Sequence, residues 1–201
     1  MTNHPPPGET VLGTTQAGLH PENGEGDSVR SLLREATRDE HRRIDQTISR
    51  LQLADRTSYR TFLAIHYMAL RALSGCWRAA DEADLSALSL CLLDDLVDHP
   101  ADIWVGSARR AEANSLQRWG VAYVIRGSRL GGAILRQRVP TGYPTSFLDF
   151  APALTWPVFL KQLEHETRST DSRARSQIVE GAQQAFGAFA TAAATFGLRH
   201  E

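Results

Sequence analysis

From Ser28 onward, apolar residues recur at the spacing of a helix, and no stretch alternates apolar with polar as a strand would. Such a chain buries its apolar faces only by packing helix on helix, so the sequence predicts an all-α fold. The first predicted helix covers residues 28–51, with Asp27 or Ser28 as cap and Leu33, Ile44, Ile48 and Leu51 as its apolar positions. A second starts at Thr57 or Ser58, carries Phe62, Ile65, Ala69, Leu73 and Cys76, and runs out near Ala80. A Leu-rich third spans about 84–97 and is stopped by Pro100. A long fourth spans 107–139 and is stopped by Pro140. Gly120, Gly127, Gly131 and Gly132 lie within it, each costly unless the backbone needs room there. Residues 141–156, punctuated by Pro144 and Pro152, read as loop. Helix resumes over 158–166 and again over 171–196, where Ile178, Ala182, Ala185, Phe186 and Phe189 share a side.

The 201 residues are enough for one domain with a sizeable core. Residues 1–27 are rich in Pro, Gly, Thr and Asn and too poor in apolar groups to offset their ordering entropy; they are predicted to be a disordered tail. Residues 28–201 form the predicted helical domain. A net charge of −1 gives no bulk attraction to nucleic acid or anionic lipid. Cys76 and Cys91, the only cysteines, sit among apolar residues and read as core thiols in a reducing compartment. No apolar run reaches the length of a membrane span, and the N-terminus lacks the order of a signal peptide. The expectation is a cytoplasmic protein without a membrane anchor.

Three stretches carry chemistry. In REATRDEHRRID, on a helix, Arg34 and His41 are two turns apart and Asp45 is one turn further, all on one face. A carboxylate at i+4 from a histidine can accept a hydrogen bond from one ring nitrogen and leave the other free to bind a metal. Spacing alone favours an ordinary solvated face with a His–Asp pair. In YVIRGSRLGG, Gly127, Gly131 and Gly132 would let a helix bend and a flat ligand approach its backbone. Close packing of helices through small residues explains the glycines equally well. The spacing is not that of a nucleotide-binding loop. In FLKQLEH, Lys161, the only lysine, and His165 form an i,i+4 pair that would face an anion or simply water.

Together these stretches resemble the haem oxygenase family, over about residues 31–196. REATRDEH is similar to the proximal-helix motif, YVIRGSRLGG to the distal-helix motif, and IVEGAQQAFGAF to the family's last helix. The resemblance implies a single-domain helical bundle with haem sandwiched between a proximal and a kinked distal helix. It assigns His41 as the iron ligand, Asp45 as that ligand's partner, Arg34 and Lys161 to the haem propionates, and His165 to a haem-binding position where animal members carry Arg. It places the catalytic distal face at Gly127, Ser128, Gly131 and Gly132, with Gly127 and Gly131 touching haem. The implied reaction cleaves haem b, at once cofactor and substrate, with O2 to biliverdin, ferrous iron and carbon monoxide. The sequence has no flavin or iron–sulfur motif, so electrons are expected from outside: a ferredoxin, a flavoprotein reductase or ascorbate. Ser128 stands where animal members carry Asp, and Arg126 where bacterial relatives are often acidic. The distal pattern is similar to bacterial enzymes that supply biliverdin to phytochromes, which makes a biliverdin-accepting phytochrome an expected partner.

Other classes compete. A non-catalytic haem carrier or sensor would keep His41 and lose oxygen activation. A di-iron oxidase needs Glu-x-x-His pairs, and the sequence has none. A thiamine-salvage hydrolase needs a cysteine nucleophile beside a base, and Cys76 and Cys91 have no evident one. A helical interaction module would bind no haem.

Overall fold

The computed structural model describes residues 28–96 and 110–198, all of them helix, turn or loop. The predicted disordered tail and the segment around Pro100 lie outside the described residues.

Helix α1 (Val29–Ala36) starts at Ser28, whose side chain accepts from the Ser31 N–H at 3.1 Å. It buries Val29 and Leu33. The single predicted helix over 28–51 is interrupted at Thr37, which leaves helical geometry at φ −115° and ψ 13° before α2 (Arg38–Ser49) resumes. The buried Thr37 hydroxyl donates to Leu33 O at 2.7 Å, and this back-bonding bends a helix without ending it. The ladder carries on, with His41 N–H donating to Thr37 O at 2.9 Å. Helix α2 is polar nearly all round and buries only Thr47, so it lies on the bundle's surface.

Helix α3 (Arg56–Ala72) is the central element and buries Tyr59, Phe62, Leu63, Ala64, Ile65, Ala69 and Leu70. It ends before the predicted Ala80, giving way to two 3-10 turns, Ser74–Cys76 and Ala79–Asp81. Helix α4 (Glu82–Asp95) follows with Leu85, Leu88 and Leu92 inward.

Helix α5 (Ser115–Ser128) begins later than the predicted 107, since residues 110–114 are not helical. Its start is set by a capping box: Asn114 accepts from the Leu116 and Gln117 N–H groups, and the Gln117 side chain accepts from Asn114 N–H. The long fourth helix also breaks at its far end, tightening to a 3-10 turn at Arg129–Gly131 before the short α6 (Gly132–Arg136). The predicted loop contains one helical turn, α7 (Ser146–Asp149), whose first N–H groups donate to the buried Asp95 carboxylate at 2.9 Å each. Helices α8 (Trp156–Thr167) and α9 (Ser172–Thr195) complete the bundle, α9 capped by Asp171.

The closest pair is α5 on α9. A Cβ on Gly120 would lie 1.9 Å from Ile178 O, and one on Gly181 would lie 1.9 Å from Gln117 O. The two glycines let the backbones touch, so Gly120 serves helix packing. One buried cluster drawn from α1, α3, α4, α5, α8 and α9, with Ile44 and Ile48 of α2 packed against it, forms the core of a single domain.

Candidate functional site

Helix α2 presents His41 and Asp45 to solvent, each side chain about two-thirds exposed (63% and 65%). The i,i+4 spacing closes as expected, with His41 Nδ1 2.9 Å from Asp45 Oδ2. A carboxylate there accepts the Nδ1 proton and leaves Nε2 as the free lone pair. The ring meets Phe186 of α9 edge-on, centroids 5.9 Å apart, which limits its rotation.

The glycine-rich segment contains no positive φ: Gly131 is at −79° and Gly132 at −55°. Glycine is therefore not required there for left-handed backbone, and space is what it supplies. Nothing lies within 4 Å of where a Gly131 Cβ would sit, whereas Gly127 faces the Trp156 ring at 3.6 Å and Gly132 faces Leu148 O at 3.6 Å. Ser128 is exposed, and its hydroxyl donates back to Ile125 O at 2.8 Å.

Helices α1, α5 and α8 converge beside this segment. Arg30 N–H donates to Glu164 Oε1 at 3.1 Å, tying α1 to the helix that carries Lys161 and His165. Tyr123 packs at a tilt against Trp156, ring centroids 5.4 Å apart, and so continues the wall that touches Gly127. Burial raises the Tyr123 phenol above its usual range, against the opposing charges of Arg30 and Arg34, which places Arg34 in the same neighbourhood. Arg34, Lys161 and His165 are exposed, and no hydrogen bond or ion pair ties down their side chains among the described residues. Helix α9 supports both halves, α2 through Phe186 and α5 through the glycine contact.

Arg126 is buried and turned into a charged cluster. Its Nη2 donates to Asp81 Oδ1 at 2.7 Å and Asp84 Oδ2 at 3.1 Å, and its Nη1 to Leu154 O at 2.7 Å. Sequence reasoning missed this cluster, because 45 residues separate Asp81 from Arg126 and both aspartates look like helix-start residues. His66 lies on α3. The ring does donate locally, Nδ1 to Phe62 O at 2.8 Å, but it is also enclosed by Phe62, Phe147 and Phe189. Burial drives its pKa from 6.5 down to about 4, the bond to Phe62 opposes this and the charge of Arg129 adds to it. The folded value lies below the unfolded one, so stability is full above pH 6.5 and falls as pH drops from 6.5 towards 4. We expect a loss of up to about 3 kcal/mol across that window in urea titrations, flattened in His66→Leu.

Burial raises both thiols, Cys76 and Cys91, above their ordinary range, the opposite of an activated nucleophile. Among the described residues, no group of three or more His, Cys, Asp or Glu is placed to hold a metal ion. None of the helices described is long and apolar enough to cross a membrane. No protein-family model matches the sequence, and no curated protein matches it.

Proposed function

We propose that this protein is a haem oxygenase, with His41 as the proximal ligand and the segment 127–132 as the distal wall. The observation that carries the reading is the His41–Asp45 pair, with Nδ1 committed at 2.9 Å and Nε2 left for a metal at an exposed position. The donor set fits haem better than a protein-only metal centre, since it offers one imidazole, and a porphyrin would bring its own nitrogens to the iron.

The residues divide the work by chemistry. Asp45 holds the His41 tautomer and raises the basicity of Nε2. Arg34 and Lys161 have charges to spare for the two propionate carboxylates, and His165 can join them when protonated. Gly131 leaves open space at the backbone, where a side chain would obstruct a flat ligand. Bound haem would supply the oxygen-activating iron and the ring that is opened to biliverdin. Electrons come from a ferredoxin, a flavoprotein reductase or ascorbate.

Ser128 favours one second reading. Its hydroxyl proton is spent on Ile125 O, so it accepts from water but donates to none, a weaker proton route than a carboxyl group offers. A haem carrier or sensor would share every other feature. Hemin-loaded protein given ascorbate or a ferredoxin system in air decides between them. Decay of the Soret band with growth of a biliverdin absorption is expected. A Soret band stable under every reductant would point to the carrier.

A further inference from the structure

Along the 125–133 segment, a cavity of about 390 Å³ opens between α4, the α5–α6 junction, α7 and residues 150–156. Leu85, Leu88, Leu148, Phe150 and Trp156 make its wall largely apolar, and Arg129 stands in that wall. His41, Gly127 and Gly131 are not part of it, while Arg129, Leu130 and Gly132 of the 127–132 segment are. Its size is at the small end of ligand pockets.

Arg129 is the anomaly. Its neighbour Arg126 is matched by Asp81 and Asp84, and Arg78 also approaches Asp81, at 3.4 Å. Arg129 meets no carboxylate. Its Nη2 donates to two carbonyls, Phe147 O at 2.6 Å and Leu148 O at 3.3 Å, and the guanidinium lies 4.4 Å over the Phe147 ring. Its Nε is buried without any partner. Both nearby carboxylates of α4 are committed elsewhere: Asp84, which also lines the cavity, accepts from Arg126 and the Ala153 and Leu154 N–H groups, and Asp95 accepts from the Ser146 and Phe147 N–H groups. A part-buried cation commonly has a counter-charge, and a buried donor such as this Nε normally has an acceptor. Burial pushes the Arg129 pKa down to about 10, yet leaves it charged at neutral pH.

We propose that this cavity binds a small amphipathic carboxylate, its head group on Arg129 and its hydrocarbon body along Leu85, Leu88 and Trp156. The carboxylate supplies the missing counter-charge and an acceptor for the Nη1 N–H groups, which no hydrogen bond engages among the described residues. The apolar wall rewards a short alkyl chain over a compact anion.

Calorimetric titration with octanoate and with 1-octanol, in the absence of haem, separates head-group recognition from simple apolar binding. Octanoate is expected to bind about tenfold tighter than the alcohol, as a charge-assisted hydrogen bond to a part-buried guanidinium implies. Arg129→Met should erase that preference and leave octanol binding as it was. Ala133→Trp, at an exposed position in the wall, should weaken both ligands, and it decides the matter if Arg129→Met does not fold. Equal affinity for acid and alcohol, undiminished octanoate binding to Arg129→Met, or undiminished octanoate binding to Ala133→Trp would overturn the proposal. Since no haem is present, failure here leaves the haem reading untouched, and failure of hemin to bind leaves this one untouched.

Discussion

Gly181→Ala is expected to cost at least about 3 kcal/mol, a large part of the net stability of a domain this size. The added methyl carbon would sit 1.9 Å from Gln117 O, 2.6 Å from Gln117 C and 2.7 Å from its Cα. All three are backbone atoms of α5, so no rotamer change relieves the clash. The helices must part by an ångström or more, and the cost spreads along the whole α5–α9 seam, where Val121, Ile178, Ala182 and Ala185 are buried. Gly120→Ala should behave alike, because its Cβ meets Ile178 O at 1.9 Å and Ala182 N at 2.5 Å. Gly187 gives the control on the same α9, exposed and with nothing within 4 Å of its Cβ position. Gly187→Ala should stabilise by about 0.5–1 kcal/mol through helix propensity alone. Urea denaturation of the three variants measures this. Similar midpoints for Gly181→Ala and Gly187→Ala would refute the close seam.

Arg126→Met is expected to destabilise by about 3–5 kcal/mol, the usual result of stripping a buried charge of its partner. Asp81 has no exposed surface, and Arg126 gives it two donors, Nη2 at 2.7 Å and Nε at 3.1 Å. After truncation Asp81 would keep only Arg78, whose Nε lies 3.4 Å away, while Leu154 O and Asp84 would each lose a donor. Desolvation has already been suffered by the carboxylate, so the loss exceeds the worth of a surface pair. Replacing Asp81 by Leu in the same chain should recover much of the stability, since apolar substitutes for a whole buried pair are often tolerated. A loss under about 1 kcal/mol in Arg126→Met, or no recovery in the double variant, would show that the cluster is not what holds α5 to the start of α4.

What the sequence made legible was whatever depends on near neighbours along the chain. Helical periodicity located the helices, and the i,i+4 relation of His41 and Asp45 closed at hydrogen-bond distance because a helix dictates it. Thr37 escaped, since a hydroxyl turning back on Leu33 O leaves no mark on apolar spacing. The start of α5 was readable in principle from Asn114 and Gln117, three residues apart, but periodicity carried the prediction past them. Gly120 was legible as a position needing room, whereas its counterpart Gly181 becomes meaningful only when α9 is laid against α5. Arg126 and Arg129 have nothing in their local sequence to show that one finds two carboxylates and the other none. The convergence of Arg34 on Tyr123, and of α1 on Glu164, likewise depends on tertiary packing alone.

Whether His41 Nε2 ligates haem iron is read by titrating hemin into the wild type and His41→Ala and recording the optical spectrum. One haem per chain with a sharp imidazole-ligated Soret band is expected in the wild type. Loss of that ligation is expected in His41→Ala, and its return when free imidazole is added. An identical spectrum in His41→Ala, or no binding of hemin by the wild type, would contradict ligation by His41.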